Sequence, residues 1–200
     1  MIMRVAILGA TGKVGSLLMD DALARGFEVT ALVRDPAGVA ARPNLERVAA
    51  DVNDAGSVAR AVKGSDVLVS ALGGPPGTLV AGAKAVVASG IGRIVWLGAY
   101  GTGESAQAAG LLTRSMLSLF MRQELPDKTA ADALILAAGG TVFHVGPMGD
   151  GPASHRTLLL EDAPKRLFPA GISRAAVAAA MLDEVQEPYF PGRTVVAVPG

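Results

Sequence analysis

A short apolar strand that runs straight into a glycine-spaced loop constrains this chain more than any other feature. Arg4 to Leu8 reads as a buried strand, and it is followed at once by Gly9-Ala10-Thr11-Gly12-Lys13-Val14-Gly15. A helical pattern over Val14 to Arg25 comes next and stops at Gly26. The spacing is G-x-x-G-x-x-G. Gly9 permits the tight turn, Gly12 lets a phosphate approach the backbone, and Gly15 lets the helix lie close to the strand. The helix N-terminus then offers free N–H groups and a positive dipole to a pyrophosphate. The candidate contacts are Gly9, Thr11, Gly12, Lys13, Val14 and Gly15. The loop lacks the G-x-x-x-x-G-K-[ST] spacing of a nucleoside-triphosphate site, because Val14 stands where a Ser or Thr is needed.

Such a loop opens a unit of alternating strands and helices, and the rest of the chain has that form. Strands are expected over Glu28 to Val33, Leu45 to Ala50, Val67 to Leu72, Arg93 to Leu97, Thr141 to Val145 and Thr194 to Val198. Helices are expected over Ala55 to Val62 with Asp54 as cap, Thr78 to Ala88, Thr129 to Ala138, and Arg174 to Val185 capped by Ser173. Half of the 200 residues are hydrophobic, only 4% are aromatic, and Ala, Val, Leu and Gly dominate. That composition suits a parallel sheet buried on both faces by Ala-rich helices. The expected fold is α/β, a single Rossmann-type domain with a doubly wound parallel sheet over residues 1–200 and small C-terminal segments on the substrate side. Glu104 to Glu124 reads as an amphipathic helix, either packed on the sheet or lying over the site.

Composition excludes several functions. Lys plus Arg and Asp plus Glu number 18 each, which argues against nucleic acid or an anionic membrane as partner. No cysteine is present, so disulfides, thiolate metal sites and cysteine nucleophiles are excluded. The two histidines, His144 and His155, leave little for a metal site, and none is expected. No uncharged stretch reaches the ~18 to 20 continuous apolar residues of a membrane span, and the N-terminus is a poor secretory signal. A cytoplasmic monomer or homodimer acting on a small molecule is expected.

The end of the second strand bears on which dinucleotide is bound. An NAD-selective site usually has an acidic residue there, but this chain reads Ala31-Leu32-Val33-Arg34-Asp35-Pro36. A guanidinium at Arg34 can clamp a 2′-phosphate, with Lys13 adding charge from the neighbouring loop. NADP(H) is therefore expected over NAD(H), which stays possible. The alternative is a solvated Arg34 paired with Asp35.

The GATGKVG loop, the LVRDP of the second strand, the AADV ending in Asp51 and Val52, and DVLVSALGG after Ser65 occur in that order. With them the chain resembles the atypical short-chain dehydrogenase/reductases of the NmrA-like and biliverdin reductase B (flavin reductase)-like type. The resemblance implies that Asp51 and Val52 lie near adenine, and that Ala71, Leu72 and Gly73 border the ribose and diphosphate. It extends through Lys128, Asp132, Ala138-Gly139, Thr141 to Val145, Pro147 and Asp150-Gly151-Pro152. The Tyr-x-x-x-Lys proton relay of most short-chain reductases is missing, because Tyr100 is followed four residues later by Glu104 and Tyr189 by Arg193.

Few residues remain for catalysis. Tyr100, just beyond the fifth strand, can donate a proton, stack on a planar substrate, or merely pack. Lys128 can hold the nicotinamide ribose or be a solvated helix-start lysine. His144 reads first as a satisfied core histidine. His155, in a loop after Asp150-Gly151-Pro152, is a possible substrate contact. A reductase of a flavin or tetrapyrrole needs no side-chain acid, since solvent can supply the proton. The leading reading is an NADPH-dependent reductase of a small planar or carbonyl substrate. Its rivals are a non-catalytic dinucleotide sensor and a cofactor-assisted isomerase or cyclase.

Overall fold

The computed structural model describes residues 2–101, 125–163 and 170–200. Eight strands form one twisted sheet. In chain order they begin with β1 (Arg4–Leu8), α1 (Lys13–Ala24), β2 (Glu28–Val33), β3 (Leu45–Ala49), α2 (Ala55–Ala61), β4 (Val67–Ser70), α3 (Thr78–Ala88) and β5 (Ile94–Leu97). Then come α4 (Leu125–Ala137), β6 (Thr141–His144), β7 (Met148–Gly149), β8 (His155–Leu159), β9 (Ile172–Ser173), α5 (Arg174–Gln186) and β10 (Thr194–Pro199). The sheet order is β3-β2-β1-β4-β5-β6-β10-β8. Every pairing in it is parallel except the antiparallel β10–β8 edge. This is the doubly wound Rossmann-like architecture expected from the sequence.

Strand alternation sends side chains to two separate cores. Val5 and Ile7 point to one face, where Leu18 and Ala22 of α1 and Val177 and Met181 of α5 cover them. Ala6 and Leu8 point to the other, under Val58 of α2, Ala83 and Val86 of α3, and Ala131 and Ile135 of α4. Trp96 and Phe143, the largest side chains in the interior, fall on opposite faces for the same reason. Alanine on α5 lets it sit close: Ala176, Ala178, Ala179 and Ala180 are all buried. The helix caps follow the sequence. Asp54 Oδ1 accepts from the Ser57 N–H at 3.1 Å, and Ser173 Oγ from the Ala176 N–H at 3.0 Å.

Several boundaries differ from the expected ones. β4 ends at Ser70 rather than Leu72, where the Ser70 hydroxyl accepts from the Leu72 N–H and turns the chain. α4 starts at Leu125 rather than Thr129, since Pro126 is tolerated in a first helical turn. β7, β8 and β9 were not legible. β8 contains His155, whose Nε2 lies 3.1 Å from Asp183 and whose Nδ1 lies 3.0 Å from the Ala153 carbonyl. The reading of His155 as a loop contact to substrate is therefore corrected: it opens an edge strand and faces α5. The expected helix over Glu104 to Glu124 lies outside the described residues. No described helix is long and apolar enough to cross a membrane.

One buried acid ties the C-terminal helix to the sheet. Glu184 is 4% exposed. Its Oε1 accepts from Thr141 Oγ1 and the Phe190 N–H, and its Oε2 from the Tyr189 N–H, each at 3.0 Å. Glu184→Ala leaves two backbone donors to find new partners, while the Thr141 hydroxyl keeps the Phe190 carbonyl at 2.9 Å. The substitution is expected to lower the unfolding free energy by about 3 kcal/mol, and Glu184→Gln by roughly half of that. Urea denaturation of the two variants checks this.

Candidate functional site

The strand order reverses between β1 and β4, and there an open parallel sheet leaves a crevice beyond its carboxyl ends. A cleft of about 1110 Å³ lies along those ends. Gly9, Thr11, Gly12, Lys13 and Val14 line it after β1, and Arg34 after β2. Asp51, Val52 and Asn53 follow from β3, and Ala71, Leu72 and Gly73 from β4. Gly98, Ala99 and Tyr100 come from the end of β5, Gly146 to Met148 from the end of β6, Lys128 and Asp132 from α4, and Arg174 from α5. The fold thus gathers the loop residues, Arg34, Asp51, Val52, Ala71 to Gly73, Tyr100 and Lys128 around one cavity, whereas His144 and His155 do not line it. Among the loop residues Gly15 is the exception. A Cβ there would lie 2.0 Å from the Gly9 carbonyl oxygen, so Gly15 serves the helix–strand contact rather than the cavity wall.

The first turn of α1 is open to a ligand. Gly12 at its N-cap has no side chain to bond the free N–H groups, and no acidic residue lies in the first turn. At the starts of α2, α3 and α5 the protein fills this position itself. Asp54 caps α2 and Ser173 caps α5, while the Asp127 carboxylate accepts from Leu79 and Val80 at the start of α3, at 3.1 and 3.0 Å. Among the described residues no side chain stands over the loop. A Cβ built on Gly12 would meet only backbone, the Gly9 carbonyl oxygen at a tight 3.3 Å, and nothing lies within 4 Å of one on Gly73. An anion of diphosphate size therefore meets unused N–H donors and a positive helix end.

Arg34 is exposed at the tip of β2. No ion pair joins it to Asp35 among the described residues. Asp35 instead caps the 3-10 turn Pro36–Gly38, accepting from the Ala37 N–H at 2.9 Å. Asp51 is oriented rather than loose. Its Oδ1 accepts from the Asn53 N–H at 2.8 Å and from Asn53 Nδ2 at 3.0 Å, and its own N–H donates to Ser57 Oγ at 2.9 Å.

The far end is built differently. The Tyr100 N–H donates to the Val145 carbonyl at 2.9 Å, and the nearly buried ring packs with Val196, Leu160 and Val198. Beneath Gly98, His144 Nε2 lies 3.0 Å from Asp132 Oδ2, both side chains being buried. A Cβ on Gly98 would meet the His144 ring at 2.8 Å and the Asp132 carboxylate at 3.0 Å. His144 is thus the satisfied core histidine of the first reading. Lys128 stands one helical turn before Asp132 and also lines the cleft.

Sequence reasoning missed Asn53, Trp96, Met148 and Arg174 as lining residues. Asn53 and Met148 follow strand ends, a signal that was available. Arg174 had none. It reaches the cleft because β7 pairs with β9, Met148 opposite Ile172, which carries the start of α5 to the loop after β6.

Comparison with known proteins agrees with this geometry. A family model described as NAD(P)H-binding matches residues 9–188. A protein of Burkholderia pseudomallei, provisionally named as exported, is 28% identical with a TM-score of 0.81, over 98% of this chain and 100% of that one. ChuY, an anaerobilin reductase of Escherichia coli O157:H7, is 20% identical with a TM-score of 0.80, over 98% and 97% of the two chains. A protein of Streptococcus pneumoniae, provisionally named an NADH-flavin reductase, is 18% identical with a TM-score of 0.79, over 99% and 100%. The last two likenesses show the fold alone.

The loop glycines separate by role. Gly15→Ala drives a methyl into the Gly9 carbonyl and is expected to cost about 3 kcal/mol or more of stability, on the scale of overpacking. Gly12 has an ordinary φ of −76°, and its Cβ would only crowd the Gly9 carbonyl oxygen at 3.3 Å, so Gly12→Val is expected to cost about 1–2 kcal/mol, less than Gly15→Ala. Thermal and urea unfolding of both variants checks the contrast.

Proposed function

Because the chain belongs to the NAD(P)H-binding family, we propose that it is an NADPH-dependent reductase of a small planar or carbonyl substrate. The observation that carries this is one continuous cleft. It runs from Lys13 and Arg34 at one end to Tyr100 and Met148 at the other, past the uncapped start of α1. When bound there, the reduced dinucleotide supplies two electrons as a hydride. The α1 N–H groups take the diphosphate, and Arg34 with Lys13 takes the 2′-phosphate. Asp51, already held by Asn53 and Ser57, offers a fixed carboxylate near the adenosine side. Lys128 holds the nicotinamide ribose. The names of the anaerobilin and flavin reductases suit a planar acceptor. The Streptococcus pneumoniae protein's name specifies NADH, so the preference for NADPH rests on this chain's own Arg34 and Lys13.

The proton comes from solvent in this reading. Tyr100 is pinned by its ring against β10, and no lysine stands four residues on to complete a Tyr-x-x-x-Lys relay. It walls the acceptor site and stacks on the acceptor. That same missing relay favours a second reading, a dinucleotide-binding sensor without turnover. Loss of reduced-nicotinamide absorbance with flavins, quinones and aldehydes as acceptors decides between them. Tight NADPH binding without oxidation by any acceptor would establish the sensor instead.

Two variants test the roles directly. Arg34→Ala is expected to weaken NADPH at least about tenfold while changing NADH little, the scale of a charge-assisted hydrogen bond. Calorimetric titration reads both, and equal losses would remove Arg34 from the 2′-phosphate site. Tyr100→Phe is expected to keep turnover within a few-fold of the parent. A drop of about a hundredfold would instead make the phenol the proton donor.

A further inference from the structure

The cleft is much more basic than the chain around it. Lys13, Arg34, Lys128 and Arg174 line it against Asp51 and Asp132, whereas the whole chain has equal numbers of acidic and basic residues. Asp132 is engaged with His144. Lys13 and Arg34 belong to the loops after β1 and β2, on the adenosine side. Arg174 stands elsewhere, beside the loop that follows β6, on the side where Pro147 and Met148 close the cavity.

Arg174 is set up to receive an anion. Its side chain is 21% exposed, so most of its stem is fixed. Nη2 donates to the Met148 carbonyl at 3.2 Å, and Nη1 donates to Asp150 Oδ1 at 2.7 Å. No other hydrogen bond or ion pair of its guanidinium occurs among the described residues. The two partners differ in kind. The Met148 carbonyl is backbone, positioned by the pairing of β7 with β9, in which the neighbouring Pro147 carbonyl takes the Ile172 N–H at 3.0 Å. The Asp150 carboxylate is 98% exposed, and an exposed ion pair contributes little. A better-placed oxyanion from a ligand displaces it at small cost, and the planar guanidinium matches a carboxylate or phosphate with two N–H groups.

We propose that Arg174 is a specificity residue that selects acceptors bearing a carboxylate or phosphate, with Asp150 as the counter-ion such a substrate displaces. This rests on the reductase reading but deepens it: the acceptor is not merely planar but anionic. Nothing in the hydride step requires Arg174.

Matched acceptors that differ only in the anion test this. FMN and riboflavin differ by a phosphate; 4-carboxybenzaldehyde and benzaldehyde differ by a carboxylate. In the parent protein with NADPH, the anionic member of at least one pair is expected to show a KM about tenfold lower or better, and the pair that responds tells phosphate from carboxylate. Arg174→Ala should bring that ratio to about one, and Arg174→Lys should restore part of it. Asp150→Asn should raise the preference, because it removes the competing carboxylate. A purely structural ion pair predicts the contrary, that Arg174→Ala and Asp150→Asn weaken binding alike. Binding of the same ligands to the NADPH-loaded protein, by fluorescence quenching or calorimetry, is measured beside turnover. Anion preference in binding without turnover keeps the Arg174 site and overturns the reductase reading. Turnover with no anion preference does the reverse. No difference between Arg174→Ala and the parent, for either pair and by either readout, overturns the proposal.

Discussion

The contact that the rest of the site depends on is the passage of α1 over the end of β1. A Cβ on Gly15 would lie 2.0 Å from the Gly9 carbonyl oxygen, and a Cβ on Gly9 would lie 2.8 Å from the Ala71 carbonyl oxygen. Only at that range do three backbone segments stack without side chains between them: the loop after β1, the first turn of α1 and the end of β4. Gly9 also has a φ of 81°, which a side chain disfavours. The stacking fixes the direction in which the α1 N–H groups point and the height at which Ala71 to Gly73 pass beside them. Since Gly12 provides no capping side chain, that helix end is left for a ligand.

The sheet carries this arrangement to the opposite end of the cleft. Parallel strands place all their carboxyl ends along one edge, and the alternation of Val5 and Ile7 with Ala6 and Leu8 glues helices to both faces. Adjacent loops therefore cannot move apart without opening a core. On the acceptor side, the buried His144–Asp132 pair fills the space under Gly98, and the Tyr100 N–H is held by the Val145 carbonyl. The bend that places Tyr100 at the cleft is thus set from below by two polar side chains and from the side by β6.

Charge is distributed to match. Acidic groups near the cleft are committed locally, Asp51 to Asn53, Asp127 to the start of α3, and Asp150 to Arg174. Lys13, Arg34 and Lys128 have no ion pair among the described residues, which leaves the concavity positive in a chain with no net charge. Low-dielectric walls focus such a field into the cleft. A dinucleotide carrying several phosphate charges suits it better than a neutral ligand.

The glycine spacing, the strand–loop–helix order and Arg34 at the tip of β2 were legible because each is a local pattern whose geometry follows from backbone sterics over a few residues. So were the caps of α2 and α5 by Asp54 and Ser173, and the alternation that yields a two-faced sheet. What the tertiary structure alone decided involves residues far apart in sequence. His144 became a core partner only when α4 brought Asp132 against β6, 12 residues away. His155 turned from the site because β8 pairs antiparallel with β10 and meets Asp183. Arg174 entered the cleft through the two-residue pairing of β7 with β9, too short for any period-2 signal to mark. Local sequence fixes what a segment can be. Which side chains meet in one cavity depends on the register between segments, and that is set by packing across the whole sheet.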